Sequence, residues 1–244
     1  MTHHDSTYLF TPIATVLSPY QEKFAIPRQP GLVTAAKGQI HLQGKFNNQE
    51  LLRGIEQFSH LWLIFVFHGT AQQGWKPLVR PPRLGGNEKM GVLATRSTFR
   101  PNPIGMSVVK LESVEVQNQQ SILHISALDL LNGTPILDIK PYIPYSDAQI
   151  NAQAGFAQQP PRELLTVEYS QQVQQQLATL TLQYPDLKKL ISQVLAQDPR
   201  PAYKQNKVDE KIYGMALYDL NIQWKMNSLK QVNVINISQV NAFK

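Results

Sequence analysis

His60-Leu-Trp-Leu-Ile-Phe-Val-Phe67 is an uninterrupted apolar run, rich in aromatic and branched side chains. It is far too short to cross a bilayer and predicts a strand buried on both faces. The chain on either side carries the same signal. Pro12 to Leu17, Gly91 to Ala94, Ser107 to Val116, Ile122 to Leu128 and Ile136 to Ile139 read as strands. The polar Gln117-Asn-Gln-Gln120 reads as the turn of a hairpin between Val116 and Ile122. Strands at this spacing, punctuated by Pro and Gly, predict a barrel or sandwich rather than a sheet with helical crossovers.

Beyond residue 146 the pattern changes. Residues 147–162 are rich in Ala, Gln and Pro with little periodicity and read as a linker. Ser170 is placed to cap a helix carrying Val173, Leu177 and Leu180. A second helix is expected from about Asp186 to Gln197. Its Leu187, Leu190, Ile191, Val194 and Leu195 fall at i, i+3, i+4, i+7 and i+8, a stripe that belongs to a core rather than a ligand. Ile212 to Met226, broken or not, and Val232 to Ile237 are strand-like, with a turn near Asn227-Ser228. The expected fold is therefore mainly β. An N-terminal all-β barrel spans 8–146, and a small α+β unit follows the linker over 163–244.

With 244 residues, 42% of them hydrophobic, the chain can bury a core. It has no cysteine, which excludes disulfides, thiolate catalysis and Cys-based zinc sites. No uninterrupted run of about 18 apolar residues occurs, and Met1-Thr-His-His-Asp-Ser6 lacks a basic stretch followed by an apolar one; a cytoplasmic protein is expected. The net charge is +6. Between Lys76 and Lys110 stand Lys76, Arg80, Arg83, Lys89, Arg96, Arg100 and Lys110 against Glu88 alone, an excess equal to that of the whole chain. Such concentration suits a nucleic-acid partner, although a solvated basic face accounts for the charge equally well.

The densest segment is Met90 to Ser107, MGVLATRSTFRPNPIGMS. Its prolines break any ladder after Arg100, and Gly105 permits close backbone approach. Arg96, Ser97, Thr98, Arg100 and Asn102 are thereby held outside regular pairing, where arginine forks onto phosphate or carboxylate. Arg80-Pro-Pro-Arg-Leu-Gly-Gly86 and Pro27-Arg-Gln-Pro-Gly31 are stiff turns that present Arg80, Arg83, Arg28 and Gln29. Asp129-Leu-Leu-Asn-Gly133 ends a strand in a turn whose Asp and Asn either grip a ribose or simply close the turn. In Asp198-Pro-Arg-Pro-Ala-Tyr-Lys204 the residues Arg200, Tyr203 and Lys204 combine charge with an aromatic face, a pairing suited to unpaired nucleotides. A G-x-G-x-x-G loop, a Walker loop, a G-x-S-x-G elbow and histidines at ligand spacing are all lacking, so neither a Rossmann cofactor site nor a metal site is expected.

These strings, with Pro12-Ile-Ala-Thr-Val-Leu-Ser-Pro-Tyr20, Phe58-Ser-His-Leu-Trp62 and Thr95-Arg-Ser-Thr-Phe-Arg-Pro-Asn-Pro-Ile-Gly105, closely resemble the TsaA-like (YaeB) family. The likeness is dense from Phe10 to Tyr145 and returns at Asp198 to Lys204. Bacterial members are tRNA (adenine(37)-N6)-methyltransferases. The resemblance implies a β-barrel that binds S-adenosyl-L-methionine outside the Rossmann tradition. It implies methyl transfer to N6 of threonylcarbamoyladenosine at position 37 in the anticodon loop of threonine tRNA. It also implies a homodimer with cofactor sites near the subunit interface. Carried over residue by residue, cofactor contacts fall on Pro27, Arg28, Gln29, His68, Gly69, Arg96, Met106, Asp129, Leu130, Leu131 and Asn132. Arg80, Arg83, Arg200, Tyr203 and Lys204 are candidate tRNA contacts.

The implied reaction is displacement at a sulfonium methyl, which needs alignment and exclusion of water more than covalent help. The accepting nitrogen is part of a urea-like group and is a poor nucleophile while protonated, so a base or a charge-stabilising donor is expected. The sequence leaves Asp138 and Asp129 as candidate bases. It leaves Arg96 and Arg100 as candidates to stabilise an oxyanion or to hold the threonyl carboxylate. A noncatalytic RNA-binding β-barrel remains the competing reading, since basic loops and Arg-Tyr clusters would look the same in it.

Overall fold

The computed structural model describes residues 7–159, 165–205 and 207–240. The end of the expected linker (160–162), residues 163–164 and 241–244 of the C-terminal unit, and His3 and His4 lie outside them. The chain opens with strand β1 (Ala14–Leu17), β2 (Lys37–Leu42) and β3 (His60–Val66). An excursion follows, made of helix α1 (His68–Ala71), the short strands β4 (Leu78–Val79) and β5 (Met90–Gly91), and irregular chain. Then come β6 (Ile104–Gln117), β7 (Gln120–Ser126) and β8 (Pro135–Pro141). Six of these strands close into a barrel in the order β1-β2-β7-β6-β3-β8, every pairing antiparallel.

Alternation fills the barrel. Val16, Ile40, Leu61, Leu63, Val109, Leu123, Ile125 and Ile136 are fully or nearly fully buried inside it. The run at His60 departs from the expected strand buried on both faces. Leu61, Leu63 and Phe65 point inward while Trp62, Ile64 and Val66 are half-buried outside. Its apolar outer face has covering elements to meet: Trp62, for example, donates to Asp147 at 2.9 Å and lies near the Tyr142 ring. The expected strand at Gly91 to Ala94 shrinks to Met90–Gly91, because Val92–Ala94 coils into a 3-10 turn. The β6–β7 hairpin tightens to two residues: Asn118 and Gln119 both take positive φ, and Gln117 pairs with Gln120. Mirror-image turns of this kind match the twist of the strands.

After helix α2 (Pro144–Asp147) and a 3-10 turn at Gly155–Ala157, the C-terminal unit begins with β9 (Thr166–Tyr169). Helices α3 (Gln171–Leu180) and α4 (Leu187–Ala196) and strands β10 (Tyr213–Leu217), β11 (Leu220–Ser228) and β12 (Gln231–Gln239) complete it. The sheet order is β10-β11-β12-β9, with β9 parallel to β12. Ser170 accepts from the Val173 amide as the expected N-cap. All five stripe residues of α4 are buried. The long run from Ile212 is broken at Tyr218-Asp219. The weakly patterned β2 and the four-residue β9 are strands that periodicity does not mark.

The barrel and the C-terminal sheet share one apolar core. Tyr20 bridges to Leu217, the Tyr218 amide donates to Pro19 O at 2.7 Å, and Ala216 N donates to Glu22 Oε1 at 2.9 Å. On the α4 side, Gln193 accepts from Ala35 N and donates to Thr34 Oγ1. Tyr20 is fully buried at this seam. Its hydroxyl has no hydrogen-bond partner among the described residues, and burial pushes its ionisation far above the phenol range. An unsatisfied buried donor is destabilising, so Tyr20→Phe is expected to raise stability by about 1 kcal/mol. Urea unfolding should show a higher midpoint at unchanged slope; a lower midpoint would mean that the hydroxyl is bonded.

Candidate active site

One rim of the barrel gathers the C-terminal ends of β1, β3 and β7 and the N-terminal ends of β6 and β8. The loops leaving it enclose a cleft. The segment after β1 supplies Lys23, Ile26, Pro27, Arg28 and Gln29. The end of β3 and start of α1 supply Phe65, Phe67, His68 and Gly69. Arg96 and Thr98 enter from the excursion, Met106 from β6, and Asp129, Leu130 and Leu131 from the chain after β7. The structure thus brings together ten of the eleven expected cofactor residues. Asn132 stands apart. Its side chain accepts from Ser18 N at 3.0 Å and donates to Gln21, fastening the turn, which is the blander of the two roles its sequence allowed.

Asp129 is the chemically distinctive group. Burial pushes its carboxyl up to about 6 from an ordinary 3.8, with the Ser107 hydrogen bond, the backbone and the Arg96 charge pulling the other way. Ser107, itself 1% exposed, donates to Asp129 Oδ1 at 2.5 Å. Between pH 3.8 and 6 the folded chain keeps a proton that the unfolded chain has released, so stability declines as pH rises through this window. A carboxylate kept ionised there at neutral pH, against its burial, is the kind of group a cation or an acid–base step uses. The sequence left Ser107 out of the site; only its position two residues past Gly105 in an inward-facing register pointed to it.

Phe65 and Phe67 were likewise not among the expected contacts. They pack edge to face at 5.2 Å. Gly105 makes this possible, since a Cβ there would come within 2.5 Å of the Phe65 ring and 2.8 Å of the Phe67 ring.

The two other candidates for the chemistry do not reach the cleft. Asp138 lies on β8, pairs with Lys140 at 2.7 Å and accepts from the Ile139 amide, with its side chain 46% exposed. Arg100 donates to Thr95 O at 2.7 Å and Val92 O at 3.3 Å, locking its own loop. Arg96 remains exposed at the mouth of the cleft, steadied by donation to Gln29 Oε1 at 2.6 Å. Its loop is two-sided. Arg96 and Thr98 face the cleft, whereas Ser97 and Phe99 line a neighbouring basic hollow with Lys76, Arg80 and Lys89. Lys76 stands 4.6 Å over the Phe99 ring.

The other expected RNA contacts divide as well. Arg83 donates to Gln159 O and holds the chain after the barrel. Arg200 is buried. It forks onto both Asp198 oxygens at 2.7 Å and donates to Lys207 O and Gln205 O, so a direct contact with tRNA is not open to it. Lys204 pairs with Asp209 at 2.9 Å, and Tyr203 is 73% exposed. Among the described residues no group of three or more His, Cys, Asp or Glu is placed to hold a metal, and no helix is long and apolar enough to cross a membrane.

Comparison with known proteins agrees along nearly the whole chain. Residues 15–148 match the tRNA-methyltransferase O N-terminal domain, and residues 162–240 match the TrmO C-terminal domain. The chain is 51% identical over 221 residues to the tRNA (adenine(37)-N6)-methyltransferase of Escherichia coli K12, covering 91% of this chain and 94% of that one. It is 45% identical to a putative S-adenosylmethionine-dependent methyltransferase of Pseudomonas aeruginosa, covering 95% and 98%. A crystal structure of TrmO from Pseudomonas aeruginosa superposes with a TM-score of 0.81 at 40% identity, over 98% of this chain and all of that one. The chain belongs to the tRNA-methyltransferase O family.

Proposed function

We propose that the chain transfers a methyl group from S-adenosyl-L-methionine to N6 of threonylcarbamoyladenosine at position 37 of threonine tRNA. The observation that carries this reading is the mainly apolar cleft with the largely buried Asp129 carboxylate facing into it. The donor set fits the cofactor. Phe67 and Leu131 offer apolar surface to an adenine ring, Arg28 and Lys23 suit a carboxylate, and Asp129 suits a cationic centre. S-adenosyl-L-methionine, when bound, supplies an electrophilic methyl on a sulfonium. The chain's residues do the rest. The barrel rim holds the donor and acceptor atoms in line and excludes water. Asp129 accepts the N6 proton as the new carbon–nitrogen bond forms and the sulfur–carbon bond breaks, leaving the neutral thioether. Arg96, exposed at the mouth of the cleft with only Gln29 bonded to its guanidinium, takes the threonyl carboxylate.

The proposed division of labour uses the boundaries read from the sequence. Residues 8–146 hold the methyl donor, 163–244 dock the tRNA, and 147–162 join them. The basic hollow of Lys76, Arg80 and Lys89 meets backbone phosphates. Ile104 and Met106 leave apolar side chains exposed at the edge of the cleft, a surface that the second copy in a homodimer would cover. A cytoplasmic setting accords with a tRNA substrate.

The deciding assay uses labelled S-adenosyl-L-methionine with threonylcarbamoylated and unmodified threonine tRNA. Label is expected on the modified tRNA alone. Cofactor binding without transfer to either would leave a cofactor-binding barrel with a different substrate, whereas no cofactor binding at all would favour a noncatalytic RNA-binding barrel. If Asp129 is the proton acceptor, kcat/KM rises with pH through about 6, since the carboxyl must first ionise. Asp129→Asn should lower kcat roughly 100-fold or more and abolish that limb; a retained limb assigns the proton to another group. Arg96→Lys keeps the charge but loses the fork, and should lower kcat/KM on modified tRNA by at least about tenfold. Wild-type turnover in that variant would remove Arg96 from carboxylate recognition.

A further inference from the structure

The cleft does not end at the barrel. Lys23, Ile26, Pro27 and Arg28 line the cleft on one side and, on the other, a second hollow closed by Pro82 and the Gln197–Pro201 segment. That hollow in turn shares Phe24, Pro199, Arg200 and Pro201 with a third, set against the C-terminal sheet. Three hollows that share walls in pairs make one groove. It runs from Asp129, across the seam between the two units, to Tyr203, Lys211, Ile212 and Tyr213.

The chemistry of the groove is selective. Two aromatic side chains stand free along it, Phe24 at 65% and Tyr203 at 73% exposure. At its far end Tyr213 is stacked on Trp224 at 4.7 Å, so the floor is a rigid aromatic layer. The carboxylate in its wall, Asp198, is neutralised by the Arg200 fork. That fork also closes the Asp198–Lys207 loop, so Pro199 and Pro201 hold a stiff edge from which Tyr203 projects. Lys204 is neutralised by Asp209, whereas Lys23, Arg28 and Lys211 form no ion pair among the described residues. Burial and the nearby Arg83 charge disfavour the Arg28 cation, and Asp198 only partly supports it. With Lys23 and Arg28 assigned to the cofactor carboxylate, Lys211 remains without an ion pair beside the free Tyr203 and Phe24 faces, which suits an unpaired, phosphate-linked chain of bases.

We propose that this groove holds the single-stranded nucleotides on one flank of the methylated base, with one base stacked on Tyr203 and its backbone phosphate met by Lys211. This rests on the reading of the chain as a tRNA methyltransferase and deepens it. The C-terminal unit then fixes the target by gripping a nucleotide of the same loop, not only by general attraction to the tRNA body.

The test measures binding of a fluorescently labelled threonylcarbamoylated anticodon stem-loop by anisotropy, beside methyl transfer to the same RNA. Tyr203→Ala should weaken binding about 5- to 100-fold, while S-adenosyl-L-methionine binding stays within about twofold. Tyr203→Phe should restore binding, because the ring and not the hydroxyl is used. Lys211→Ala should lower the salt slope of binding by about one. Stem-loop affinity indifferent to Tyr203→Ala, in an enzyme that transfers methyl to it, would overturn the groove. Binding that depends on Tyr203 without any methyl transfer would keep the groove and sink the chemistry. Competition for Tyr203 by a proline-rich peptide but not by the stem-loop would overturn the assignment to RNA.

Discussion

Closure of the barrel rests on the short pairing of β1 with β8, Ala14 opposite Ile136 and Thr15 opposite Pro135. Past that pairing the two chains stay zipped outside the sheet. Val16 N donates to Thr134 O, Gly133 N to Val16 O and Asn132 N to Tyr20 O, while the Asn132 side chain receives Ser18 N. Two consequences follow from this one joint. It holds Leu130 and Leu131 over the mouth of the barrel, where the cleft forms. It also carries Tyr20 out to Leu217 and Pro19 to Tyr218, so the C-terminal sheet docks against the same joint. Site and domain seam are therefore coupled through a few backbone bonds, and a groove that crosses the seam begins at the site.

The chain between β7 and that joint is bent at some cost. Ala127 takes φ of 61°, a conformation that disfavours a residue bearing Cβ by about 1 kcal/mol. It is held there from both sides: its amide donates to Ala36 O and its carbonyl accepts from Gly31 N. The bend sends Leu128 inward against Gly38, where a Cβ would stand 2.6 Å from Leu17 O and 2.8 Å from Leu128. Asp129 is thereby turned toward the cleft and onto Ser107. Local strain, a tight glycine contact and a buried carboxylate occur together because each fixes the next.

The strongly patterned parts of the fold were legible in the sequence. The long hairpin, the α4 stripe and the Ser170 cap each carry a local signal that tertiary packing reinforces. β2 and β9 were not legible, since Lys37–Leu42 offers only Ile40 and Leu42 to the core and Thr166–Tyr169 is one short parallel edge. Loop residues were legible as a group but not by role. Arg96 and Arg100 lie four residues apart in the same proline-rich string, yet one faces the cleft and the other is consumed by carbonyls. Asp129 and Asp138 differ in the same way. Which of two like side chains is free depends on backbone direction at one residue, and no composition or spacing encodes that.

The same distinction gives the net charge its meaning. A net +6 counts every cation alike, but the fold sorts them. Arg200 is cancelled by Asp198, Lys204 by Asp209 and Lys37 by Asp186, while Arg83 and Arg100 are spent on carbonyl oxygens. These arginines and lysines build the loops. Lys23, Arg28, Arg96, Lys76, Arg80, Lys89 and Lys211 have no carboxylate ion pair among the described residues, and each lines the cleft, the basic hollow beside it or the groove leading away. Unneutralised charge is costly to gather unless an anion will share it. Lys45, Lys188, Lys189, Lys207 and Lys225 also lack an ion pair among the described residues but stand apart. What distinguishes the seven is their gathering on both sides of the Arg96 loop and along the adjoining hollows, an arrangement that suits an anionic ligand at the cleft better than charge scattered over the surface would.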